Sequence, residues 1–177
     1  MYTIPESTRV IIQARADRCT ALVIAMQFLE KAVHPAEIEI WKACKEKITL
    51  EQVLLRADAC RSRQVAKERW DNAERDTKTE YIWANRYLDL TNPSLRDEIL
   101  ACENIDVAVS GWKSTEKTDP TSTIWHRRLT ELQEKDALLR AEACTDFSEA
   151  AIEYKNAEPD TKVSAIWFDR YISLRYK

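Results

Sequence analysis

The chain has 177 residues, 45% hydrophobic and 32% charged, which suits one domain with a real core and excludes disorder by composition. A formal net charge of −3 gives no global pull toward nucleic acid or an anionic membrane. Glycine occurs once, at Gly111. Phosphate loops, tight hairpin turns and nucleophile elbows need glycine where φ is positive or a ligand approaches the backbone, so nucleotide folds of the Rossmann or P-loop kind are not expected.

No apolar run reaches the length of a membrane span. The opening "MYTIPESTRVII" lacks the basic and apolar regions of a secretory signal. Five cysteines with no CxxC pair read as reduced thiols, and the expected location is cytoplasmic.

Self-similarity organises the chain. Ile-Trp recurs with its Trp at 41, 83, 125 and 167, each step being 42 residues. Cys60, Cys102 and Cys144 keep the same step, while Cys19 precedes Cys60 by 41 residues. Ala25, Ala66, Ala108 and Ala150 each lie six residues after their Cys. Four further on stand Leu29, Trp70, Trp112 and Tyr154, and three beyond those Ala32, Ala73, Thr115 and Ala157. The expected organisation is one helical-repeat domain over 1–177, with copies at about 1–35, 36–77, 78–119 and 120–161 and a final helix over 162–177.

In chain order, the segment "RVIIQARADRCTALVIAMQFL" is strongly apolar and helical in pattern. The one-residue deletion falls after Ala32, in a turn at His34 and Pro35. Ala66, Trp70 and Ala73 form a helical stripe, and Thr77 with Glu80 forms a capping box opening the next helix. Trp83, Arg86, Tyr87 and Leu90 form a second stripe, and Asn92-Pro93 marks a break soon after it. Asp119 before Pro120 is an N-cap followed by a favoured first helical residue. Asp146 with Glu149 suggests another start, and Pro159 marks the turn seen at Pro35. Two helices per copy, about eight in all, are expected, stacked as an α-solenoid because one unit cannot bury its own apolar face. Burying one repeated aromatic is worth roughly 2–3 kcal/mol.

The stripe Ala108, Trp112, Thr115, Pro120 is similar to the second helix of a tetratricopeptide repeat. Ala66-Trp70-Ala73 and Ala150-Tyr154-Ala157 match three of its positions, with Lys78 and Lys162 in place of the proline. The unit is eight residues longer than the tetratricopeptide length of about 34, and Tyr87, Leu129 and Tyr171 replace the small Gly of the first helix. The run Trp83-Arg86-Leu90, repeated at Trp125-Arg128-Leu132 and Trp167-Arg170-Leu174, resembles the repeats of protein prenyltransferase α subunits over eight residues per copy. These resemblances imply an array of helical hairpins, a class that mostly binds proteins.

Arg86, Arg128 and Arg170 form a ladder at the 42-residue step, with Cys44 in that slot of the first copy. They either grip anionic groups on a partner or cover the Trp seam and pair with a nearby acid, Asp17, Asp58 and Glu142 being available. The seam reading is favoured because repeat-spaced aromatics are usually core. His126 and Arg127, in "WHRR", add the most basic short run, suited to an acidic partner or to a solvated face. The in-register cysteines read as small buried hydrophobes, with Cys44 expected to be more exposed. Two histidines cannot assemble a zinc set, and no acid–base or nucleophilic constellation recurs. No cofactor and no catalytic role are expected.

The expected function is a protein-binding adaptor or inhibitor, for which a phage or mobile-element origin with a host target is a fitting setting. The alternative is RNA or single-strand binding through the Trp/Arg ladder. The apolar N-terminal segment and a last helix with no following hairpin further suggest a homodimer through the ends.

Overall fold

The structure, a computed structural model, describes residues 4–176. Among them it is all-helical, with ten helices and no strand, and no helix is long and apolar enough to cross a membrane. The chain divides into two compact units, one up to Arg86 and one from Tyr87 onward, with the boundary inside a helix.

In the first unit, α1 (Glu6–Asp17) and α2 (Leu22–Lys31) both pack against α3 (Pro35–Ala59). His34 caps α3, its Nδ1 accepting from the Ala36 amide at 3.2 Å, and Pro35 sits in the first turn where its missing N–H is not needed. Trp41, 1% exposed, stacks on Phe28 with ring centroids 4.5 Å apart. Ile40, Cys44 and Ile48 complete that core with Ala16 and Ala25. The short helix α4 (Arg63–Asp71) buries Ala66 and Trp70 and leads into α5 (Lys78–Thr91).

The Thr77–Glu80 box forms with an altered partner. The Glu80 amide donates to Thr77 Oγ1 at 3.2 Å, and the buried Glu80 carboxylate accepts from the Asp76 amide at 2.8 Å and from Arg75 at 2.7 Å. Asp76 has φ 60°, in the left-handed region where a short polar side chain is tolerated. Asp160, 84 residues on, adopts φ 61° in the corresponding turn.

In the second unit, α6 (Pro93–Ala101) and α7 (Ile105–Ser114) pack on α8 (Pro120–Ala143), and α10 (Lys162–Arg175) packs on α8 and α9 (Phe147–Asn156). Asn92, Asp119 and Asp146 accept from first-turn amides, so three of the predicted starts are side-chain caps. Pro159 stands in the turn before α10, whose cap is Thr161.

The expected eight helices become ten. α3 runs 25 residues and α8 runs 24 without a break, whereas Pro93, lacking an amide and fixing φ, divides the corresponding stretch into α5 and α6. The final helix α10 supplies the rest of the difference. Ala25, Ala66, Ala108 and Ala150 are each 0% exposed, at the closest approach of each short helix to its neighbours.

Candidate functional site

Each copy turns between helices at its cysteine, and the turn is assembled from three side chains in register. Cys60, Cys102 and Cys144 are the C-caps of α3, α6 and α8, all extended, with φ near −65° (−67°, −63° and −67°). Their thiols donate to the carbonyl two residues on: Cys60 to Ser62 at 3.3 Å, Cys102 to Asn104 at 3.4 Å and Cys144 to Asp146 at 3.3 Å. Ser62, Asn104 and Asp146 are the N-caps of α4, α7 and α9. One helix therefore closes and the next opens within two residues. Because the C-cap is extended, no residue with positive φ is required, and helices end without the glycine that a Schellman turn would use.

An extended C-cap leaves its own carbonyl without a helical partner. Arg86 Nε donates to Cys60 O at 2.9 Å, Arg128 Nε to Cys102 O at 2.6 Å and Arg170 Nε to Cys144 O at 2.7 Å, each 26 residues downstream. A second guanidinium nitrogen of Arg86 and of Arg170 reaches the same carbonyl. A cation at a helix C-terminus is also favoured by the helix dipole. The ladder is thus a set of helix caps. Arg170 is held by the backbone of Cys144 rather than by the Glu142 carboxylate, and Arg128 adds a 3.4 Å ion pair to Glu131.

In the first copy the ladder residue is Cys44, buried at 8% exposure and not open to solvent as expected. Its thiol donates to Ala16 O at 3.3 Å, and that same carbonyl accepts the Cys19 amide at 3.0 Å. Burial, and after it the neighbouring Cys19 thiol, push the Cys44 thiol above its ordinary value of 9.0. The Cys19 thiol donates to Ala21 O at 3.5 Å, preserving the corner in this copy too.

The four seam tryptophans are not equally covered. Trp41, Trp83 and Trp167 are buried, at 1%, 6% and 2% exposure, whereas Trp125 is half-buried. The residue facing each ring from the preceding short helix differs. Phe28 stacks on Trp41, Arg69 and Trp83 line one cleft, and Gly111 lies under Trp125. A Cβ at Gly111 would come 2.5 Å from Trp125 Cε2 and 2.6 Å from Cδ2. The single glycine serves close approach to a ring, with an ordinary helical φ.

His126 and Arg127 are exposed on α8. His126 lies 5.0 Å from the Trp112 ring, and Arg127 pairs with Glu131 at 3.1 Å. With Arg128 they share one face around Glu131 and Trp112, so this patch is only partly free cationic surface. Arg86, Arg128 and Arg170 are half-buried.

The N-caps Ser62 and Asn104 were legible as Ser and Asn two residues after each Cys, in register with Asp146. Among the described residues no group of three or more His, Cys, Asp or Glu side chains is arranged to hold a metal ion. The chain matches no family model, no curated protein and no solved structure.

Proposed function

We propose that the chain is a non-catalytic protein–protein interaction module, an adaptor or inhibitor built as an α-solenoid-like array of four 42-residue, tetratricopeptide-like hairpins. One observation carries the reading. Outward positions are apolar at the same register in successive copies. Ile24, Val65 and Val107, each one residue before the buried Ala, are 47%, 43% and 52% exposed. Leu54-Leu55 on α3 and Leu138-Leu139 on α8, 84 residues apart, are exposed as well. Exposed apolar residues repeated at fixed positions mark a contact surface, because solubility alone would select polar residues there. Rigid corners set by the Cys–Arg caps hold that surface in one shape, which lowers the entropic cost of binding.

The five free thiols suit work in a reducing cytoplasm. The single-strand nucleic-acid reading is weaker, because the guanidiniums it requires are engaged with backbone carbonyls. The test compares proteins captured from the native host by the wild type and by Val65→Asp/Val107→Asp, with helicity checked by circular dichroism. A protein retained by the wild type and lost from an equally helical variant supports the module. Identical capture by both, or salt-sensitive RNA binding by filter assay, overturns it.

A further inference from the structure

One corner departs from the other copies in charge. Arg56, Ala59, Cys60, Arg61, Ser62, Val65, Arg69 and Trp83 line an open cleft of 350 Å³ within the first unit. Three of these side chains are guanidiniums. Arg61 donates to Asp58 O at 3.0 Å, which fixes it at the corner. Arg56, Arg61 and Arg69 form no ion pair with any of the described residues.

The fourth copy shows what the register does at this place. The positions of Arg56 and Arg69 correspond, two steps of 42 on, to Arg140 and Glu153. Arg140 and Glu153 form an ion pair, and Arg140 lies 5.6 Å over the Trp167 ring, the counterpart of Trp83. The third copy has Glu98 and Gly111 there. The fold thus brings these two positions within pairing distance across the corner, and the second copy fills both with arginine. Two guanidiniums facing one another repel unless an anion lies between them, and a carboxylate offers both forks bidentate geometry. Val65, 43% exposed, and the edge of Trp83 give the cleft an apolar wall beside the charge.

We infer that the Arg56–Arg69 cleft is an anion-recognition site that seats an acidic side chain, with an apolar neighbour, from an extended segment of a protein partner. This deepens the protein-binding reading and rests on it. Charge complementarity selects the acid, and the openness of the cleft admits a chain.

The decisive variant is Arg69→Glu. It reproduces beside Arg56 the pairing of Arg140 with Glu153, so it folds as stably as the wild type by urea denaturation. The probe is a Glu-rich peptide carrying one Leu, titrated into labelled protein by NMR, with inorganic phosphate and a Lys-rich peptide in parallel. Saturable shifts at the amides of residues 59–65 and at Arg Nε are expected with the acidic peptide, weakened about tenfold or more in Arg69→Glu. No saturable binding, or equal binding by the variant, overturns the site. Saturation by phosphate as tight as by the peptide overturns the peptide assignment. If host-protein capture survives Arg69→Glu while Val65→Asp/Val107→Asp abolishes it, the cleft assignment fails and the module stands.

Discussion

Gly111→Ala pits two effects of known sign against each other. In an exposed helix interior the change adds about 0.8–1.0 kcal/mol through helix propensity. Here the new methyl would meet three atoms of one rigid ring, Trp125 Cε2, Cδ2 and Cζ2, at 2.5, 2.6 and 2.8 Å. Ordinary contact begins near 3.4 Å, so the indole must withdraw by roughly 1 Å. The ring is not a flexible tip, and it packs in the cluster of Ala108, Leu129 and Leu132, which are buried. Overpacking of this kind costs about 1–3 kcal/mol. The net expectation is destabilisation of about 1 kcal/mol, read as a lower urea midpoint by circular dichroism. Ser110→Ala, exposed on the same helix, is the control and rises by a few tenths through propensity alone. If Gly111→Ala also gained stability, the close approach of α7 to Trp125 would be refuted.

Arg170→Met leaves the buried carbonyl of Cys144 without its charge-assisted donor and lowers stability by about 1.5–3 kcal/mol, while Arg127→Met, on an exposed ion pair, changes it by less than about 1 kcal/mol. Equal losses from the two would contradict the capping role. The Cys44 thiol has its folded value raised, so its contribution to stability is fully present below 9.0 and is lost as pH rises through the folded value. Cys44→Ala removes this component, so the urea midpoint of the wild type should fall more steeply above pH 9.0 than that of the variant; parallel curves would count against the shift. Self-association is expected to use the apolar residues Val10, Ile11, Val23 and Met26, which are 48–66% exposed on α1 and α2. Light scattering after size exclusion should give twice the chain mass, returning to one chain with Ile11→Asp/Val23→Asp, and a single-chain mass for the wild type removes the dimer.

The helical class was legible because apolar and small residues recur with helical spacing inside each copy, and the starts at Asp119, Asp146, Asn92 and Pro35 carried their caps in the letters. The helix count was not, since whether a Pro stops a helix or opens a new one depends on how the following segment docks. The partner of the arginine ladder was also hidden. It is a backbone carbonyl, which every residue type carries, and it lies 26 residues away. Sequence reasoning turned instead to carboxylates. Gly111 was read for what its rarity excludes, whereas its place is set by Trp125, fourteen residues further on. The arginine cleft had a signal, in the departure of positions 56 and 69 from the pairing at 140 and 153, visible only once the structure showed that those positions touch.

The Cys–Arg corner imposes a direction on the chain. Every cap runs backward, from a later arginine to an earlier helix end, so a corner made during synthesis stays open until another 26 residues have emerged. Damage propagates the same way. Loss of α10 exposes the end of α8 and the start of α9, segments far upstream of any cut, while trimming at α1 removes no arginine cap. A protease nicking the turn before Lys162 would therefore loosen the helices preceding the nick, and the later half of each unit acts as the clasp for the earlier.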